Sequence, residues 1–140
     1  MLQKVIIILL LLFPPVNNIS NNLVIVGRLK RIVQPPDCGH IHFGALSEYD
    51  NIRLIQGVYN AKSIFVIHGC PEISRTEYAK GSGNLQSFRI GDYHRLELVK
   101  KNIYKVGIII DSDTTGKIVH SDSLTYFAKT VDLDAAQIAH

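Results

Sequence analysis

Leu23-Val24-Ile25-Val26-Gly27-Arg28-Leu29-Lys30-Arg31-Ile32-Val33 decides how the rest of the chain is read. The run is rich in β-branched residues, and past Gly27 apolar and basic side chains mix in an imperfect alternation, which predicts a strand. A glycine in the middle of such a run fits a bulge, where a strand bends around a barrel corner, because glycine accepts the backbone angles a bulge demands. Gln34-Pro35-Pro36-Asp37 then ends the strand.

Downstream the same period of two recurs. Between His40 and Ile55 apolar residues fall at Ile41, Phe43, Ala45, Ile52 and Leu54 with polar residues between them, predicting a long second strand with a break near Asp50-Asn51. Gln56 to Lys62 carries turn residues, and Ser63-Ile64-Phe65-Val66-Ile67-His68 follows as a third, strongly apolar strand, so the pair reads as a hairpin. Pro71 to Asn84 holds no sustained helical stripe, and Lys80-Gly81-Ser82-Gly83-Asn84 reads by composition as the most mobile loop. After the Gly91-Asp92 turn, Tyr93, Arg95 and Glu97 alternate with His94, Leu96 and Leu98 in a fourth strand. Ile103 to Ile110 supplies another, closed by a turn over Asp111 to Gly116, and Leu124 to Val131 one more. Asp132 or Asp134 is placed to cap a short terminal helix. Five or six strands with glycine-marked bends and little helix predict an all-β fold, a small barrel or a sandwich.

Upstream, Val5 to Phe13 is an unbroken run of Val, Ile, Leu and Phe behind the single charge of Lys4, ended by Pro14-Pro15. A bilayer-spanning helix needs about 20 apolar residues, so this shorter run reads as the core of a secretory leader. Residues 1-20 are therefore expected to be a signal peptide and residues 21-140 a single domain, secreted or periplasmic, with no membrane span after cleavage. The chain carries 15 Lys and Arg against 12 Asp and Glu. Losing Lys4 with the leader leaves fourteen against twelve, an excess too small to point to a polyanionic partner. The basic groups Arg28, Lys30, Arg31 and Lys100-Lys101 read as solvated faces rather than a phosphate site. Cys38 and Cys70 are the two cysteines, and in an oxidising compartment an even count predicts one disulfide.

The order of Val26-Gly27, Leu54-Ile55-Gln56-Gly57-Val58-Tyr59, Ile64-Phe65-Val66, Cys70 and Gly91-Asp92-Tyr93-x-x-Leu96 resembles the netrin-like group that includes the tissue inhibitors of metalloproteinases, and similar short exported bacterial proteins. Gly57, Ile64, Val66, Gly91 and Tyr93 stand at matching places, within residues 23 to about 98. The resemblance implies an OB-like five-stranded barrel. The metalloproteinase inhibitors present the amine of an amino-terminal cysteine to zinc. This chain has no cysteine near Asn21, so that mechanism is not expected, and fold alone does not carry function.

Chemistry-bearing candidates are few. His40-x-His42 would place two imidazoles on one strand face, with His68 or His94 as a third nitrogen donor and Cys38 as a competing sulfur, a pattern compatible with zinc. Asp111-Ser112-Asp113 resembles the start of a calcium loop but lacks the closing glutamate. Neither a nucleophile elbow nor a phosphate-binding glycine loop occurs. OB-like barrels often bind across strands two and three, and Tyr49 and Tyr59 are the aromatics expected to be exposed for a partner, whereas Phe43 and Phe65 are expected in the core. Export makes nucleic acid an unexpected target. The expected function is a non-enzymatic exported binding or interaction module whose partner is an unidentified protein or envelope component, with no cofactor. A metal-binding protein centred on His40 and His42 is the alternative.

Overall fold

The computed structural model describes residues 22–110 and 125–137. The expected leader, the Asp111 to Gly116 turn and the chain's last three residues lie outside them. Six strands follow in order: β1 (Leu23–Ile32), β2 (Phe43–Gln56), β3 (Ile64–Gly69), β4 (Tyr93–Val99), β5 (Ile108–Ile110) and β6 (Thr125–Leu133). Ala135–Gln137 adds a single 3-10 turn, whose Ala136 amide donates to the Asp134 carboxylate at 3.3 Å. Among the described residues no helix is long and apolar enough to cross a membrane.

Five strands close on themselves. β1 pairs with both β4 and β2, β4 continues to β6, β6 to β3 and β3 back to β2. Every pairing in this ring is antiparallel except β3 with β6. This is the OB-like five-stranded barrel, with β5 attached outside the ring in parallel to the start of β2. Closing so few strands demands sharp coiling, and the β1–β2 register slips at three places to provide it. One slip falls between Val26 and Arg28, at Gly27.

Strand parity sets the core. Ile25 and Leu29 of β1, Tyr49 of β2, Ile64 and Val66 of β3, Leu96 and Leu98 of β4 and Val131 of β6 fill the interior, all at most 1% exposed. A second apolar cluster lies on the opposite face of the β2–β3–β6 wall. There Leu46, Ile67 and Phe127 pack with Tyr78 and Tyr104, flanked by Ile103 and Val106. Only Ile108–Ile110 of the strand expected over 103–110 is strand, because the residues before it lay Tyr104 across this outer face instead of pairing.

The second strand begins at Phe43 rather than His40 and runs to Gln56 without interruption. The break expected near Asp50-Asn51 is instead a local bend, with Asn51 at φ 49° inside a continuous strand. The loop expected to be most mobile, Lys80 to Asn84, is stitched to β6. Ser82 N donates to Lys129 O at 3.0 Å, Val131 N to Ser82 O at 2.9 Å, and Leu85 N to Val131 O at 3.3 Å. Asn84 and β6 also exchange bonds through side chains, Asn84 N to Asp132 Oδ1 at 2.9 Å and Leu133 N to Asn84 Oδ1 at 2.8 Å. This segment carries Leu85 and Phe88 into the barrel core. Gly83 permits the approach: its φ is +124°, and a Cβ there would overlap the carbonyl of Val131.

Candidate functional site

The alternation of His94, Leu96 and Leu98 along β4 turns His94 inward, and on β3 the same rule turns His68 inward with Val66 and Ile64. Tyr49, inward on β2, stands between them. Its hydroxyl lies 3.1 Å from His68 Nε2 and 2.9 Å from His94 Nδ1. All three side chains are fully buried. Phe88 packs beside both imidazoles, its ring centre 4.5 Å from that of His68 and 5.7 Å from that of His94.

A phenol carries one proton, so Tyr49 donates to one histidine and accepts from the other, and the two imidazoles occupy different hydrogen-bonding roles. Each ring then keeps one buried nitrogen, His68 Nδ1 and His94 Nε2, without a hydrogen bond among the described residues. Burial holds both histidines neutral. Desolvation, with the Arg75 and His94 charges adding to it, puts the His68 pKa well below its ordinary value. Desolvation also lowers the His94 pKa to about 4, against a smaller upward pull from Asp92. Burial likewise pushes the Tyr49 phenol well up, an effect Tyr104 reinforces and Arg75 opposes.

Beneath this triad Arg75 is 2% exposed. Its guanidinium donates to three backbone carbonyls, Gly69 O at 3.0 Å and Cys70 O and Ile73 O at 2.7 Å each. The cation also faces the Tyr78 ring at 4.5 Å and the Phe88 ring at 5.5 Å. The Cys38–Cys70 disulfide, with its Cα atoms 5.7 Å apart, fixes the carbonyl-bearing turn that Arg75 grips. Arg75 is thus a structural cation that ties the β3 exit to the Tyr78 and Phe88 rings.

The histidines of the expected metal site fall elsewhere. His40 and His42 precede β2 instead of lying on it, so the strand rule that would aim them at one face does not apply. His42 Nδ1 sits 3.4 Å from Lys80 Nζ. His68 and His94, expected as a third donor, are committed to the core. Among the described residues, the donors gathered closely enough for an ion are Cys38, Cys70 and Glu72, and both sulfurs are taken up in the disulfide.

The aromatic expectation also needs correction. Tyr49 is at 0% exposure, because the strand continues through Asp50-Asn51 and keeps it on the inward face. Tyr59 is half-buried, with its hydroxyl donating to Ser63 O and its ring edge-on to Tyr126 at 6.1 Å. Phe43 and Phe65, expected in the core, are half-buried. The β2–β3–β6 face available to ligands in many OB-like barrels is covered here by Tyr78 and Tyr104.

Basic residues of β1 are ion-paired along the sheet. Arg28 binds Asp50 through two bonds of 2.8 Å, while Lys30 and Arg31 converge on Glu48 at 3.1 and 2.8 Å. Of the exposed large apolar side chains among the described residues, Leu54 at 42% and Ile55 at 45% lie at the far end of β2 and Val58 at 92% just past it, while Ile41, Ile90 and Leu133 are scattered elsewhere. No periodicity marks them, since Leu54 and Ile55 read as ordinary strand residues.

The architecture defines an OB-like barrel with a sealed polar core and an apolar edge. Compared with protein-family models, curated proteins and solved structures, the chain matches none of them.

Proposed function

We propose that this chain is an exported, non-enzymatic interaction module that meets an envelope component through the end of β2. The observation that carries the reading is the contrast between inside and outside. Tyr49, His68, His94 and Arg75, the groups with most chemistry to offer, are committed to the core. Leu54, Ile55 and Val58 are spent on the surface within five residues of sequence. Exposed aliphatic side chains this close together in the chain favour a contact surface over solvation. The Cys38–Cys70 disulfide suits an oxidising compartment, and the apolar run before Pro14 suits a leader. The barrel topology is compatible with kinship to the netrin-like group, which we retain as part of the proposal.

A photo-crosslinking side chain placed at Val58 in the exporting cell tests the reading. An adduct formed from position 58, and absent from the same probe at Ile41 before β2, is the expected result. Recovery of the protein in the cytosol with reduced thiols, or no adduct at position 58, would overturn it.

A further inference from the structure

We infer that Cys38, Cys70 and Glu72 hold a zinc ion when the Cys38–Cys70 bond is reduced, so that the disulfide is one state of a zinc–thiol switch. The inference goes beyond the interaction module proposed above and stands independently of its partner.

Geometry is the first observation. One donor atom from each residue, two sulfurs and a carboxylate oxygen, lies within 4.8 Å of the others. Zinc takes thiolate sulfur at about 2.3 Å and carboxylate oxygen at about 2.0–2.2 Å, so a tetrahedral site needs the two sulfurs only about 3.8 Å apart. The backbone allows that opening from one side. Cys70 is buried, and its amide donates to Phe43 O at 2.9 Å, which anchors it just past β3. Cys38 is half-buried within residues 33–42, which form no strand, so its sulfur is the one able to withdraw. Glu72 is already aimed at the pair. Its Oε1 accepts from the Cys38 amide at 2.6 Å, which orients the carboxylate and leaves a second oxygen for the ion. The Phe43 amide donates to Cys38 Sγ at 3.2 Å, the kind of contact that steadies a metal-bound thiolate.

Charge is the second observation. Arg75 is 2% exposed and forms no ion pair among the described residues, a costly setting for a cation held by neutral carbonyls and rings. Its guanidinium binds Cys70 O at 2.7 Å. Two thiolates and a carboxylate around a zinc dication leave one net negative charge, which would lie beside Arg75 and offset it. The same cation favours the thiolate form of a reduced cysteine next to it.

The switch balances in both directions. A dithiol reductant passes two electrons and two protons to the Cys38–Cys70 bond, becoming a disulfide itself and leaving two thiols. Zinc displaces both thiol protons to solvent, Glu72 supplies the third ligand and water the fourth. A disulfide oxidant reverses this: the two thiolates give up two electrons as the sulfurs rejoin, and zinc leaves. In an oxidising compartment the bridge holds, so the zinc form belongs to the chain before oxidation.

Cobalt(II), a coloured stand-in for zinc, tests the switch on the purified protein, oxidised and after reduction with a phosphine. The reduced protein is expected to take one cobalt per chain with a thiolate-to-cobalt charge-transfer band that zinc removes, and the oxidised protein to show none. Glu72→Gln, at an exposed position that leaves the bridge intact, should weaken zinc binding by roughly tenfold or more. Cys38→Ser should abolish the band, while His40→Ala with His42→Ala should leave it unchanged. Because an ion bound by the folded chain stabilises it, saturating zinc should also raise the melting temperature of the reduced protein. A reduced protein lacking either the band or the rise overturns the inference, and so does wild-type affinity in Glu72→Gln or loss of binding in the double-histidine variant.

Discussion

Tyr49 and His94 stand 45 residues apart in the chain and meet inside the barrel, hydroxyl to Nδ1 at 2.9 Å. His68 completes the contact from the other side at 3.1 Å. The phenol therefore satisfies one nitrogen on each of two buried rings. Tyr49→Phe keeps the ring and its packing but strands both nitrogens in the core. Each buried polar atom left unpaired costs about 1–3 kcal/mol, so a loss of roughly 2–5 kcal/mol is expected in urea unfolding. A change below about 0.5 kcal/mol would show that the hydroxyl bonds do not hold the barrel.

The same triad makes stability sensitive to mild acid. Both histidines have folded pKa values below the ordinary value of 6.5, His94 at about 4, so the unfolded chain binds protons first. Stability is then fully present above the unfolded pKa and declines as pH falls from about 6.5 toward 4, by about 1.4 kcal/mol per unit for each histidine. His94 alone accounts for a loss of about 3 kcal/mol across that window. The Asp50 carboxylate, held low by Arg28, loses its contribution only at more acidic pH. Thermal melts at pH 7.5, 6, 5 and 4.5 should show a steady fall, and His94→Phe should roughly halve its slope, leaving the part due to His68. A melting temperature constant from pH 7 to 5 would refute the assignment.

Much of this architecture is legible in alternation alone. Period two locates β1, β3 and β4 to within a residue or two, and it puts His94 on the same face as Leu96 and Leu98. Gly27 reads as a bend because a glycine inside an apolar strand has few other uses. Tyr49 is not readable in the same way: Asp50-Asn51 after it resembles a turn, and only the Asn51 backbone at φ 49° shows how the strand passes through. His40 and His42 mislead for a related reason, since the strand's start depends on long-range pairing of Gly44 with Gly69, which local pattern does not contain. The bend of Lys80 to Asn84 onto β6 is likewise a contact across nearly fifty residues, invisible in a composition that reads as linker.

Reduction of Cys38–Cys70 should loosen the site without dissolving the fold. The bridge closes a loop with a sequence separation of 32, worth about 3 to 4 kcal/mol by chain entropy. Cys38→Ser with Cys70→Ser should lower the unfolding free energy by that order. The effect should be largest around Arg75, whose guanidinium binds the carbonyl of Cys70 at 2.7 Å. Hydrogen exchange that accelerates first at Ile73 and Arg75 is the expected signature. Uniform acceleration over all strands would place the bridge's effect in the unfolded chain alone.

Gly83 offers the sharpest test of the stitched segment. Its φ of +124° is strained for any side chain, and a Cβ would collide with the backbone of Val131, which cannot swing aside as a side-chain end can. Gly83→Ala must therefore separate residues 82 to 85 from β6, breaking the bonds of Ser82 and Leu85 with Lys129 and Val131. Leu85, 3% exposed in the core cluster, would be drawn out with them. We expect a loss of about 2–4 kcal/mol, combining backbone strain with a vacated core position, and fast amide exchange at Ser82, Leu85 and Val131. Gly39→Ala, where a Cβ meets nothing within 4 Å, should change stability by less than about 0.5 kcal/mol. Wild-type amides at Ser82 and Val131 that already exchange as fast as free peptide would return this segment to a loose loop and remove Leu85 from the core cluster.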